Sequence, residues 1–127
     1  DLGDDRFVTG DTKPTPQDAI ANGVGSHFFV LGPAIDPAKV DVDAVTLKLI
    51  RDGKTIAESP ATNVMGSPWN SLLWLANHVV KHGGTLEPGA VVLTGTAARA
   101  YRAKGDQIKG IYEGDCGPLG KIILTIY

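Results

Sequence analysis

Cysteine is almost absent: the chain holds one, Cys116, in 127 residues. A single thiol makes no internal disulfide and no multi-thiolate zinc site. An excess of positive charge is missing too. Lys plus Arg number 12 against 14 Asp plus Glu, a net charge of −2. Nucleic-acid binders carry a basic excess and acidic tails a larger deficit, so no nucleic-acid partner is expected. No apolar run approaches the ~20 residues that span a bilayer, so no membrane partner is expected either. The start, Asp1-Leu2-Gly3, shows no Met, no basic n-region and no apolar h-region. It reads as the start of a processed or cut chain, and a cytoplasmic location is expected.

What is present fits a folded domain. Apolar residues make up 43 %, enough to fill a core. The chain is long enough for one domain. Its 16 glycines and 8 prolines exceed the usual ~12 % for the pair. Such a surplus means many turns, and many turns mean many short strands.

Local patterns place the elements. Thr15, Pro16 and Asp18 have the order of an N-cap, a first helical residue and a first-turn acid, so a short helix is expected from Pro16 to about Asn22. Gly23 and Gly25 end it. The apolar run 26–32, bounded by glycines, predicts a buried strand. Val45, Leu47 and Leu49 alternate with Thr46 and Lys48, and Asp52-Gly53 supplies a type I′ turn. That hairpin register sets Leu49 opposite Ile56. Residues 67–83 predict the one long helix, with Ser67 as N-cap, Pro68 at the first position and Gly83 as the stop. Trp69, Leu72, Leu73, Ala76, Val79 and Val80 form its expected packing stripe, with Trp74 and Leu75 off it. On that reading Leu73→Ala costs about 2–5 kcal/mol. Ala90 to Leu93 predicts a central strand. Residues 107–112 and 121–127 predict two more. The expected fold is mixed α+β and β-dominated: a curved mixed sheet or roll with one long packed helix.

Few residues point to chemistry by spacing alone. Asp1, Asp4 and Asp5 offer oxygen ligands of the kind Mg²⁺ or Mn²⁺ prefers, although their spacing favours a solvated loop. His78 and His82 stand four apart with no third ligand in view, which favours a surface pair. Ser26 beside His27 is a poor nucleophile pair, because strand neighbours point to opposite faces. Gly23-Val24-Gly25-Ser26 has the make-up of a small anion-binding turn or of a plain connection. Thr94-Gly95-Thr96 closes a strand with small residues that let a ligand approach the backbone, or simply makes a turn. Cys116 has no basic neighbour to activate it.

Four blocks together carry a more specific signal. They are the 22–33 stretch beginning Asn22-Gly23-Val24-Gly25-Ser26, the hairpin 47–57, Gly66-Ser67-Pro68 followed by Trp74-Leu75-Ala76-Asn77, and Pro88-Gly89-Ala90-Val91-Val92-Leu93-Thr94-Gly95. In this order they resemble the C-terminal half of the fumarylacetoacetate hydrolase superfamily, and most closely its 2-keto-4-pentenoate hydratase and 4-oxalocrotonate decarboxylase branch. The resemblance implies that residues 1–127 are the C-terminal portion of a larger catalytic domain. It implies a lyase acting on 2-oxo or 2-hydroxydienoic acids, with Mg²⁺ or Mn²⁺ binding the substrate's carboxylate and 2-oxo oxygens. The family's two metal-binding Glu and its catalytic Lys would lie before residue 1. Asp1 or Asp5 would be the third metal ligand. Gly25, Ser26, Thr94 and Gly95 would line the substrate pocket. A homo-oligomer, or association with the missing N-terminal half, is implied as well. Two blocks depart from the relatives. Asn22-Gly23 stands where they have Asp-Asn, and 59–65 replaces a Gly/Ala-rich stretch. Thr94-Gly95-Thr96-Ala97 is also similar to the hydrolase branch, so cleavage of an acylpyruvate is the alternative.

Overall fold

In a computed structural model, residues 2–3, 15–21, 23–101 and 108–127 are described. The chain forms two compact units, 1–31 and 32–127.

In the first unit, strand β1 (Leu2–Gly3) pairs antiparallel with β2 (Ser26–Phe28), Leu2 facing Phe28 and Gly3 facing Ser26 across an irregular register. Helix α1 spans Pro16–Ala21. The expected cap forms reciprocally. The Asp18 amide donates to Thr15 Oγ1 at 3.2 Å, and the Thr15 amide donates to Asp18 Oδ2 at 2.8 Å. These bonds hold the Asp18 carboxyl below its ordinary pKa. The expected buried strand over 26–32 is corrected on two counts. Pairing stops at Phe28, and the apolar run is exposed, Phe28 by 64 % and Leu31 by 64 %. Strand-forming composition does not by itself supply a covering layer.

The second unit is built on a four-stranded antiparallel sheet in the order β4-β3-β5-β6. Its strands are β3 (Thr46–Arg51), β4 (Lys54–Pro60), β5 (Gly110–Asp115) and β6 (Lys121–Ile126). Asp52 (φ 48°) and Gly53 (φ 79°) make the two-residue turn that Asp-Gly favours. The register differs from expectation beyond it. Ile50 faces Thr55, but Leu49 faces Ala57, because a bulge between Leu49 and Ile50 takes Ile56 out of the pairing. Arg51 sits at the centre of this end of the sheet. It donates to Tyr101 Oη (3.1 Å) and to the Lys109 carbonyl (2.9 Å) and lies over the Tyr112 ring. At the other end, Lys121 Nζ bridges Glu113 (2.8 Å) and Asp115 (2.9 Å) across the β5–β6 pair.

The second helix, α2, runs Pro68–Lys81 and follows the sequence reading closely at both ends. Ser67 Oγ accepts from the Trp69 amide, and Pro68 takes the first position, where no amide is needed. Gly83 (φ 77°) and Gly84 donate to the carbonyls of Val80 and Val79, a Schellman end. The packing stripe is rotated from the expected one. Leu72, Leu75, Ala76 and Val79 are half-buried. Trp69 (49 %), Leu73 (61 %) and Val80 (68 %) are exposed. The helix is apolar over so wide an arc that the pattern alone left its orientation open. Leu73→Ala accordingly costs less than about 1 kcal/mol rather than 2–5.

The expected central strand at 90–93 is also corrected. Residues 90–96 form no regular element and pair with no strand among the described residues. Val91 and Leu93 are exposed while Val92 and Thr94 are half-buried, so strand alternation survives without a ladder. Among the described residues the buried apolar ones are Val45, Ala61 and Val64, gathered where β3 begins and β4 ends; the Ala61 amide donates to the Val45 carbonyl at 2.9 Å. The architecture is thus mixed α and β, with an antiparallel sheet and one main helix. Among the described residues no helix is long and apolar enough to cross a membrane.

Candidate functional site

Two stretches carry the described candidate residues, one in each unit. Gly23 (φ 56°) and Val24 (φ 57°) take consecutive left-handed conformations, then Gly25 leads into Ser26 at the head of β2. A β-branched residue at positive φ is an outlier that costs energy. Ser26 is exposed. His27 turns its ring to the Phe28 ring, edge to face at 4.6 Å.

The second stretch is Thr94-Gly95-Thr96-Ala97. Side chains of the neighbouring elements fix it at both ends. Ser71 Oγ, on α2, donates to the Thr94 carbonyl at 2.6 Å. The buried Ser59 hydroxyl, at the end of β4, donates to the Ala97 carbonyl at 2.9 Å. Asn63 Nδ2 donates both to Ser59 Oγ (2.7 Å) and to the Ala97 carbonyl (3.1 Å). Gly95 lies between the anchors at φ 123°, a conformation L side chains rarely adopt, and a Cβ there would stand 3.5 Å from Val64. Gly95, between two fixed carbonyls, leaves the backbone without a Cβ at that one point.

The turn feeding α2 is built with similar care. The Ser67 amide donates to the Val64 carbonyl across Met65 (φ 52°) and Gly66 (φ 79°), a mirror-image turn. Asn70 Nδ2 holds the Met65 carbonyl at 3.0 Å.

Ser59, Asn63 and Ser71 were not singled out from the sequence. Ser71 falls on the half-buried arc of α2, where a hydroxyl needs a partner, but the sequence pattern does not pick out that arc. Gly25 and Ser26 belong to the first unit, Thr94 and Gly95 to the second. Asp1 and Asp5 lie outside the described residues. Among the described residues no three His, Cys, Asp or Glu side chains gather as a metal site. His78 stacks on Trp74 (4.9 Å) and meets the His82 ring at a tilt (4.3 Å) along the exposed side of α2. Burial and Asp115 push the Cys116 thiol up, away from the thiolate a nucleophile needs.

Comparison with known proteins follows the same lines. The family model for the fumarylacetoacetate (FAA) hydrolase C-terminal region matches residues 6–124. A 2-keto-4-pentenoate hydratase of Burkholderia vietnamiensis is 30% identical over 109 residues, 85% of this chain and 40% of the relative. A 2-hydroxyhexa-2,4-dienoate hydratase of Comamonas testosteroni is 30% identical over 82% of this chain and 40% of its own length. A 4-oxalocrotonate decarboxylase of a Pseudomonas species is 30% identical over 71% of this chain and 35% of its own. The chain spans about two fifths of the length of the first of these relatives. With a family match over nearly its whole length, and with hydratases and a decarboxylase as relatives, the chain belongs to the fumarylacetoacetate hydrolase family, in that family's C-terminal region.

Proposed function

We propose that this chain is the substrate-lining part of a lyase, a hydratase or decarboxylase, acting on 2-oxo or 2-hydroxydienoic acids of the kind formed by aromatic ring cleavage. The observation that carries the reading is the anchored Thr94–Ala97 strip. It holds small residues and fixed backbone groups at the place where the family resemblance puts the substrate pocket. A carboxylate suits such donors, because hydrogen bonds to a charged acceptor are short and strong.

The reading includes a divalent cation, Mg²⁺ or Mn²⁺. The described residues do not make up its ligand set. Asp1 or Asp5 would supply one oxygen ligand, and the others would come from outside these 127 residues. Such a cation supplies Lewis-acid stabilisation of an enolate. The residues of this chain bind and orient the acid. The exposed Trp69, Leu73, Trp74 and Val80 support a homo-oligomer or cover from the remainder of a longer chain. The unpaired 90–96 segment would then become a strand of a larger curved roll. A cytoplasmic setting belongs to the same reading. C–C hydrolysis of an acylpyruvate is the second reading, favoured by the Thr94-Gly95-Thr96-Ala97 sequence.

The test is turnover by a polypeptide of the relatives' length. It should convert 2-hydroxypenta-2,4-dienoate only with Mg²⁺ or Mn²⁺, lose activity in EDTA and regain it on adding the metal back. The isolated 127 residues should bind Mg²⁺ weakly, since that ion demands near-octahedral oxygen ligation. Full activity in EDTA would refute the metal. Cleavage of acylpyruvates with no hydration or decarboxylation would favour the hydrolase.

A further inference from the structure

We infer that Ser71 is a positioning residue that aims the Gly95 backbone N–H at an oxygen of the bound acid. The inference deepens the proposed function and rests on it.

The argument is one of peptide geometry. No peptide bond among the described residues is cis. In a planar trans peptide the carbonyl and the following N–H point in opposite directions. Ser71 Oγ draws the Thr94 carbonyl toward α2 at 2.6 Å. The same plane therefore turns the Gly95 N–H away from α2. That N–H has no acceptor among the described residues, and Gly95 is exposed. An amide without a protein partner, held in one orientation, is a donor ready for an anionic oxygen. Gly95 also lacks the Cβ that would crowd such an approach.

The second anchor keeps the strip from swinging. Ser59 and Asn63 hold the Ala97 carbonyl from the opposite end, three residues on. Rotation of the 94–95 peptide is therefore restrained at the near end by one hydroxyl alone. Ser71 makes this bond from the second turn of α2, a helix with a capped start and a closed end. The hydroxyl is thus placed by a rigid element, and its loss frees one peptide plane without touching the helix ends.

The variants are Ser71→Ala, which removes the hydroxyl, and Ser71→Thr, which keeps it. In the 127-residue chain, labelled with ¹⁵N and ¹³C, Ser71→Ala should move the Thr94 carbonyl resonance and broaden or double the Gly95 amide. Ser71→Thr should restore both. Adding 2-oxobutanoate as the probe should shift the Gly95 amide in wild type and Ser71→Thr, and several-fold less in Ser71→Ala. In the metal-loaded polypeptide of full length, Ser71→Ala should raise KM about fivefold with kcat within about twofold, the signature of lost ground-state binding, and Ser71→Thr should rescue it. A Gly95 amide indifferent to both the probe and the Ala variant overturns the inference, as does an unchanged KM. The two readings fail separately: an inactive wild type counts against the proposed lyase, whereas an active wild type with an indifferent Gly95 counts against Ser71 alone.

Discussion

Two β-prone stretches of this chain end in different states. Residues 46–51 enter a sheet and find partners on both sides, β4 and β5. Residues 90–96 have the same apolar, β-branched character and find no ladder among the described residues; α2 and the β4 end hold them through side-chain hydroxyls and an amide instead. The contrast separates what holds structure from what presents it. A central strand such as β3 spends its backbone N–H and carbonyl groups on the neighbours at either side. A strip held by its carbonyls keeps its N–H groups for something else.

The contrast can be broken from either side. The largest loss is expected where the sheet meets the buried cluster: Val45→Ala opens a void beside Ala61 and Val64 and should cost about 2 kcal/mol in urea unfolding. An effect under half of that would mean the cluster is not the core. Ser59→Ala comes next. It removes one donor to the Ala97 carbonyl and the acceptor for Asn63, and should cost about 1 kcal/mol. Its sharper signature is increased backbone motion in ¹⁵N relaxation confined to 94–98, with the β3–β4 ladder unchanged; a uniform increase would merge the two regions. The smallest effect belongs to the ion triad of Lys121, Glu113 and Asp115. The Lys121 hydrogen bond, with the Gly117 amide, lowers the Asp115 pKa from 3.8. A carboxyl depressed on folding contributes stability that is complete above 3.8 and disappears as pH falls through its folded value. The gap between wild type and Asp115→Asn should therefore be open at pH 7 and narrow as the pH falls below 3.8. A gap independent of pH would assign the effect to packing.

These contrasts also mark what the sequence made legible. The ends of α2 were readable because caps are local chemistry: Ser67, Pro68 and Gly83 act on backbone within a few residues. The Asp52-Gly53 turn was readable for the same reason, yet the bulge at Ile56 beyond it was not, since it satisfies the sheet rather than the turn. Which face of α2 packs was not legible either. Trp69 and Leu73 are as apolar as Leu72 and Leu75, and only the surroundings decide between them. At the candidate site, Thr94 and Gly95 stood out by composition, while Ser59, Asn63 and Ser71 did not. Their role comes from residues 23 to 38 positions away that touch them in space.

The Arg51 cluster has a consequence in time. The β3–β4 hairpin closes over two residues and can form within microseconds. Arg51 at its tip then waits for Tyr101, 50 positions on, and for the Lys109 carbonyl, 58 positions on. Distant pairings of this kind slow folding, because a long loop must lose its freedom before any contact repays it. The hairpin is thus expected to form before β5 docks beneath Arg51, and until it docks β3 offers an open strand edge to any neighbour able to pair with it.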